Sequence, residues 1–134
     1  MRRIFADTSY WVALVNPRDQ IHEKAIKASE QLSAAILLTT EMVLVELLNG
    51  FADSAYRGAV GEMVAQLRQD PKLTILPQTT VQFEGALRRY NQAADKSWSL
   101  TDCASFEVME LEHIEAALTS DRHFVQAGFE ALLR

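Results

Sequence analysis

Cys103 is the only cysteine, so no internal disulfide can staple this chain, and an unpaired thiol suits a reducing compartment such as the cytoplasm. Glycine and proline are sparse, five and three in 134 residues, which excludes collagen-like and linker-like architectures. The glycines at 50, 58, 61, 85 and 128 are scattered, so no glycine-rich phosphate loop is present. Long hydrophobic runs are missing as well: stretches such as Trp11 to Val15 and Ala34 to Leu38 fall far short of the roughly 20 residues that cross a bilayer. Arg2 and Arg3 imitate the start of a signal peptide, but Asp7 interrupts the apolar stretch that should follow. Positive charge is in deficit, the net charge being -5, which argues against a generic nucleic-acid coat protein. If four of the acids are neutralised by bound cations, however, the rest of the chain is almost neutral and a local basic surface stays available.

What is present is an ordinary globular composition, 49% hydrophobic and 23% charged, on a chain long enough for one core. Residues 1–134 are read as a single domain. Arg3 to Ala6 reads as a buried strand that ends at Asp7-Thr8-Ser9, followed by a short helix from Tyr10 to Val15 that Asn16-Pro17 stops. Ile21, Ala25, Ala28 and Leu32 recur at helical spacing, predicting a helix over about 21–32, and a second strand follows at about Ala35 to Leu38. Thr39-Thr40 is placed to cap a helix over Glu41 to Ala52. That segment is apolar on nearly every face and is therefore expected to be buried. Ala55 to Gln69 reads as an amphipathic helix broken by Asp70-Pro71, and Leu73 to Leu76 as a third strand. Thr80 to Ala94 is helical and Ser99 caps a helix to about Glu112. Glu115 to Thr119 is a fourth strand, Asp121 to Gln126 a last short helix, and Phe129 to Leu133 a candidate edge strand. Strands alternating with helices predict an α/β fold, a three-layer α/β/α sandwich around a mostly parallel sheet of four or five strands.

Four acids stand out against this frame. Asp7 follows the first strand and Asp121 the fourth, and open α/β sheets bind ligands just beyond the carboxyl ends of their strands. Asp102 lies in the first turn of the helix that Ser99 opens. Glu46 projects from the apolar helix, where an unpaired buried carboxylate is costly. Each aspartate also has a bland alternative: Asp7 and Asp121 stand where an aspartate commonly caps a helix, and Ser99 with Asp102 makes a near capping box. The combination favours chemistry. Two carboxylates about 4 Å apart repel by roughly 4 kcal/mol at an effective dielectric near 20, and such clusters persist when a cation or a shared proton relieves them. Oxygen ligands without a companion histidine or cysteine point to Mg2+ or Mn2+, and such ions activate water for attack on phosphorus. In that scheme Asp7 and Asp102 bind the principal ion, Glu46 and Asp121 a second ion or waters, and the Ser9, Thr101 and Thr119 hydroxyls form an outer layer, if they are not simply bonded to backbone.

The stretches IFADTSYWVAL, TTEMVLVELLNG, SLTDCASF and LTSDRHF, in this order, resemble the four acidic motifs of the PIN-domain nucleases, and within them VapC-type toxins of toxin–antitoxin pairs. The likeness spans the whole chain and carries the family's site acids onto Asp7, Glu46, Asp102 and Asp121. It implies a Mg2+- or Mn2+-dependent endoribonuclease, often homodimeric and held inactive by a cognate antitoxin, although the family also includes RNA-processing members without one.

Around the acids, Arg18, Arg88, Arg89, Lys96 and Arg122 are candidates to hold an RNA backbone, and Tyr10, Trp11 and Trp98 to stack on bases, with surface charge and core packing as the alternatives. His22, His113 and His123 have no metal-spaced partner and are read as surface or outer-layer residues; Cys103 is read as a buried structural thiol. Two rival readings stay open here. A metal-dependent phosphatase on another doubly wound fold would also place an aspartate after the first strand, but position 9 is Ser9 rather than a second aspartate. A binding module would use the acids only as caps.

Overall fold

The computed structural model describes all 134 residues. The chain runs β1 (Arg3–Ala6), α1 (Thr8–Val15), α2 (His22–Gln31), β2 (Ile36–Thr40), α3 (Glu41–Gly50), α4 (Arg57–Leu67) and β3 (Leu73–Leu76). It continues through α5 (Thr80–Gln92), α6 (Leu100–Leu111), β4 (Ala116–Leu118), α7 (Arg122–Gln126) and β5 (Glu130–Ala131). The strands form one sheet in the order β3-β2-β1-β4-β5, and every neighbouring pair is parallel. Successive strand residues point to opposite faces; Ile4 and Phe5 are both fully buried, so β1 is covered by helices on both sides. This is the expected three-layer α/β/α sandwich.

The strand order reverses between β1 and β4. Two strands, β2 and β3, are laid down outward from β1, and the chain then returns to place β4 on the other flank, in register Phe5↔Ala117 and Ala6↔Leu118. The Asp7 N–H donates to the Leu118 carbonyl at 3.1 Å, extending that pairing by one residue. A parallel α/β sheet opens a crevice at such a switch point, beyond the carboxyl ends of its strands. Asp7 and Thr119 stand at its rim.

The core beneath is apolar and aromatic. Phe5, Phe106 and Phe124 are fully buried, and Phe124 packs edge-on against Phe106 at 4.9 Å between ring centres, which anchors the short α7 to α6. Gly85 lets α5 and α6 approach closely: a Cβ there would meet the Glu107 side chain at 3.3 Å. Arg89 of α5 pairs with Glu107 and Glu110 of α6 across the same contact.

The structure moves several expected boundaries. The second strand runs on through Thr40 rather than stopping at Leu38; Thr39 is a buried strand residue whose hydroxyl donates to the Ala6 carbonyl at 2.8 Å. Only Thr40 caps α3, accepting from the Val43 N–H at 3.1 Å. The expected edge strand contracts to Glu130–Ala131. The largest correction concerns α3, which is not buried all round. Val43, Leu44 and Leu47 face the core, whereas Val45 is 54% and Leu48 37% exposed, and Glu46 is exposed beside them. Composition had suggested a buried helix because its outer face happens to be apolar too.

Candidate active site

Asp7 occupies the position before α1 but does not cap it; its side chain makes no cap hydrogen bond. Its Oδ2 instead accepts from the Thr119 hydroxyl at 2.8 Å and from the Ser9 hydroxyl at 3.4 Å. Ser9 is itself fixed by the Ser120 N–H at 3.2 Å. Asp7 is 5% exposed. Burial pushes its carboxyl up from an ordinary 3.8 to about 7, against the Thr119 hydroxyl and the Thr8 N–H, which pull it down. The negative charges of Asp102 and Glu46 push it further up, which places both acids within electrostatic reach of Asp7.

The other two aspartates do cap helices. Ser99 and Asp102 form a reciprocal capping box at the start of α6, with the Ser99 N–H donating to Asp102 Oδ2 at 3.0 Å and the Asp102 N–H to Ser99 Oγ at 3.0 Å. Asp121 caps α7 by accepting the His123 N–H on Oδ1 at 2.9 Å. Capping and site chemistry turn out to be compatible, because each cap uses one oxygen. Asp102 Oδ1 and Asp121 Oδ2 accept no hydrogen bond from the protein.

Two residues tie these acids together. Thr119 Oγ1, while donating to Asp7, accepts the Asp121 N–H at 3.0 Å. His123 Nδ1 lies 2.9 Å from Asp102 Oδ2 and 3.4 Å from Asp121 Oδ1. One ligand atom each of Asp102, Asp121 and His123 falls within 4.8 Å of the others. Asp7, Asp102 and Asp121 are thus joined in one hydrogen-bonded chain, and Glu46 overlooks it from α3. The expectation that Glu46 carries the burial penalty is overturned: Glu46 is exposed, and the acid that suffers desolvation is Asp7.

The arrangement fits a hard divalent cation. Its free donors are carboxylate oxygens, and its innermost carboxyl, drawn up to about 7 by burial, needs a positive partner to ionise fully near neutral pH. Ser9 and Thr119 take the outer-layer positions expected of them. Thr101 does not; its carbonyl accepts from Ser105 Oγ, and its hydroxyl reaches no acid.

The sequence reads His123 as a surface or outer-layer residue without assigning it a partner; in the structure its ring Nδ1 faces Asp102 and its N–H donates to Asp121, two residues earlier. Of the aromatic candidates, Tyr10 and Trp11 are each 3% exposed and pack edge-to-face in the core, so they cannot stack on bases. Trp98 is partly exposed, with Nε1 donating to Gln126 Oε1 at 3.0 Å. Cys103 is fully buried, as expected. Among the basic candidates Arg89 is consumed by Glu107 and Glu110, and Lys96 pairs with Asp95. Arg18, Arg88 and Arg122 are exposed and form no ion pair.

A family model described as the PIN domain matches residues 4–130. The chain belongs to the PIN-domain family. It is 32% identical over 131 residues to the 23S rRNA-specific endonuclease VapC20 of Mycobacterium tuberculosis, a match covering 94% of this chain and 95% of that protein. The crystal structure of Mycobacterium tuberculosis VapC20, described as a sarcin-ricin loop cleaving toxin, aligns with a TM-score of 0.82 at 28% identity over 94% of this chain and 95% of that one. FitAcB from Neisseria gonorrhoeae shares the fold, with a TM-score of 0.67 at 18% identity over 96% and 95% of the two chains. These matches bear out the resemblance to VapC-type PIN nucleases and remove the phosphatase reading, which required another fold.

Proposed function

We propose that this PIN-domain chain is a divalent-metal-dependent endoribonuclease of the VapC toxin type, and that its substrate is a structured loop of ribosomal RNA like the one its relative cleaves. The observation that carries the reading is the buried Asp7 carboxyl, raised to about 7 and linked through Thr119 and His123 to Asp121 and Asp102. Asp7 and Asp102 are the residues assigned to hold the principal Mg2+ or Mn2+ ion, with Asp121 and Glu46 serving a second ion or ordering water. Such an ion supplies a more acidic water and offsets charge on the scissile phosphate.

The chain's own residues do the rest. Ser9 and Thr119 hold Asp7 Oδ2, which fixes the carboxylate in one orientation before substrate arrives. The capping box of α6 and the N-cap bond of α7 immobilise Asp102 and Asp121 in the same way. Arg18, Arg88 and Arg122, free of carboxylate partners, are the candidate phosphate contacts, and Trp98 is the remaining candidate for base stacking.

The toxin role brings partners: a cognate antitoxin that silences the site and a second copy of the chain. Exposed apolar side chains support both, Val45 and Leu48 on α3 and, at helical spacing on α5, Phe83, Leu87 and Tyr90. No helix is long and apolar enough to cross a membrane, and a ribosomal substrate supports a cytoplasmic location. The decisive experiment incubates the purified chain with 23S rRNA or a sarcin-ricin-loop oligonucleotide, with Mg2+ or Mn2+ and with excess EDTA, alongside Asp7→Asn. Discrete cleavage that needs both the metal and Asp7 is expected; cleavage in EDTA, or by the variant, contradicts it. A short neighbouring reading frame encoding a small DNA-binding protein separates the toxin role from RNA processing without an antitoxin.

A further inference from the structure

Two of the three aspartates are held by one residue. The His123 backbone N–H donates to Asp121 Oδ1 at 2.9 Å, and its ring Nδ1 lies 2.9 Å from Asp102 Oδ2. Both of these oxygens are already committed to caps, since Asp102 Oδ2 also accepts the Ser99 N–H. A carboxylate oxygen engaged in this way acts as an acceptor, so the Nδ1 facing it must carry hydrogen. A histidine that bound a cation through Nδ1 would instead face the free oxygens, Asp102 Oδ1 and Asp121 Oδ2. The ring has a rigid base as well, because the next residue, Phe124, is fully buried between Phe5 and Phe106.

We infer that His123 is a positioning residue of the acidic site: through Nδ1–H it clamps the Asp102 carboxylate of α6 to the Asp121 end of α7, leaving one oxygen of each for the cation. This inference rests on the metal-dependent reading above and adds to it a residue that makes no contact with the ion. Without the clamp Asp102 keeps its capping bond to Ser99, so the fold survives, but its free oxygen is no longer held at a fixed spacing from that of Asp121. Partners of this outer kind typically change metal affinity by roughly 10–100-fold.

The test compares wild type, His123→Asn and His123→Leu as full chains. An asparagine amide N–H can replace Nδ1–H; leucine fills the space and donates nothing. Mn2+ binding is followed by electron paramagnetic resonance of the free ion, RNA cleavage is measured across a Mn2+ titration, and thermal melting in EDTA checks folding. We expect His123→Leu to melt close to wild type but to bind Mn2+ about 10-fold or more weakly, with its cleavage rate largely restored at saturating Mn2+. His123→Asn should recover most of the affinity. Wild-type affinity in His123→Leu overturns the inference, as does an asparagine variant no better than leucine, which would make His123 a ligand. If wild type itself neither binds Mn2+ nor cleaves RNA, the proposed function fails, an outcome distinct from a cleaving wild type with an indifferent His123.

Discussion

Replacing Asp7 by asparagine should make the protein more stable while destroying its activity. The Asp7 carboxyl is raised from 3.8 to about 7, chiefly by burial. Between those two values the native chain holds a proton that the unfolded chain has released, so stability falls as pH rises through that window and stays low above about 7. At about 1.36 kcal/mol per pKa unit, the shift corresponds to roughly 4 kcal/mol lost by pH 8 in the absence of a cation. That is a large part of the roughly 5–15 kcal/mol that holds a domain together. Asparagine is nearly isosteric and its oxygen can still accept from Thr119, but its amide must find a new acceptor, so recovery of about 2–4 kcal/mol is expected. For a chain of this length that is a rise in melting temperature of roughly 7–14 °C. The assay is thermal melting of both proteins in EDTA at pH 8, 7, 6, 5 and 4. The gap should be widest at pH 8, less than half as large at pH 5 and nearly closed at pH 4. Mn2+ at pH 8 should stabilise the wild type and do little for the variant. An asparagine variant that melts at or below wild type at pH 8, or a gap independent of pH, refutes the reasoning.

Asp102→Asn should lower the rate of metal-dependent RNA cleavage by about 100-fold or more, measured on a labelled sarcin-ricin-loop oligonucleotide. Glu46→Gln should also reduce cleavage, yet leave stability within about 0.5 kcal/mol because the side chain is exposed; a melting shift larger than that would mean Glu46 is structural. Thr119→Val removes the hydroxyl from Asp7 Oδ2 and from the Asp121 N–H, so denaturant unfolding at pH 8 in EDTA should show a loss of about 1–3 kcal/mol. Ser99→Ala breaks the capping box of α6 and should cost about 1 kcal/mol, with a further loss of Mn2+ affinity because Asp102 is then less firmly held.

The alternation of strands and helices was legible because each element carries a local signal: a stop at Asn16-Pro17, a break at Asp70-Pro71, a cap at Ser99. The three aspartates were legible because they follow strands or open helices, and the crevice lies where those elements end, whereas Glu46 stood out as an acid within an apolar helix. What escaped was everything that depends on which side of an element faces a neighbour. The Val45 and Leu48 side chains look like core residues in composition and are surface residues in space, so the burial argument was assigned to Glu46 when it belonged to Asp7. What His123 touches escaped for a related reason. Its partner Asp102 is 21 residues away in the chain and adjacent only once α7 is docked on α6. Thr119 was a candidate for the outer layer, but its double role toward Asp7 and Asp121 becomes visible only when β4 lies beside β1.

That pairing of β1 with β4 has a bearing on when the enzyme can become dangerous to its own cell. Asp7 is synthesised more than a hundred residues before Thr119 and Asp121, and β1 cannot acquire its second neighbour until they have followed. A growing polypeptide on the ribosome, or a fragment clipped anywhere in the middle, therefore carries at most part of the acidic set and no fixed geometry for it. Harm is deferred until the segment that carries β4 and α7 has been made.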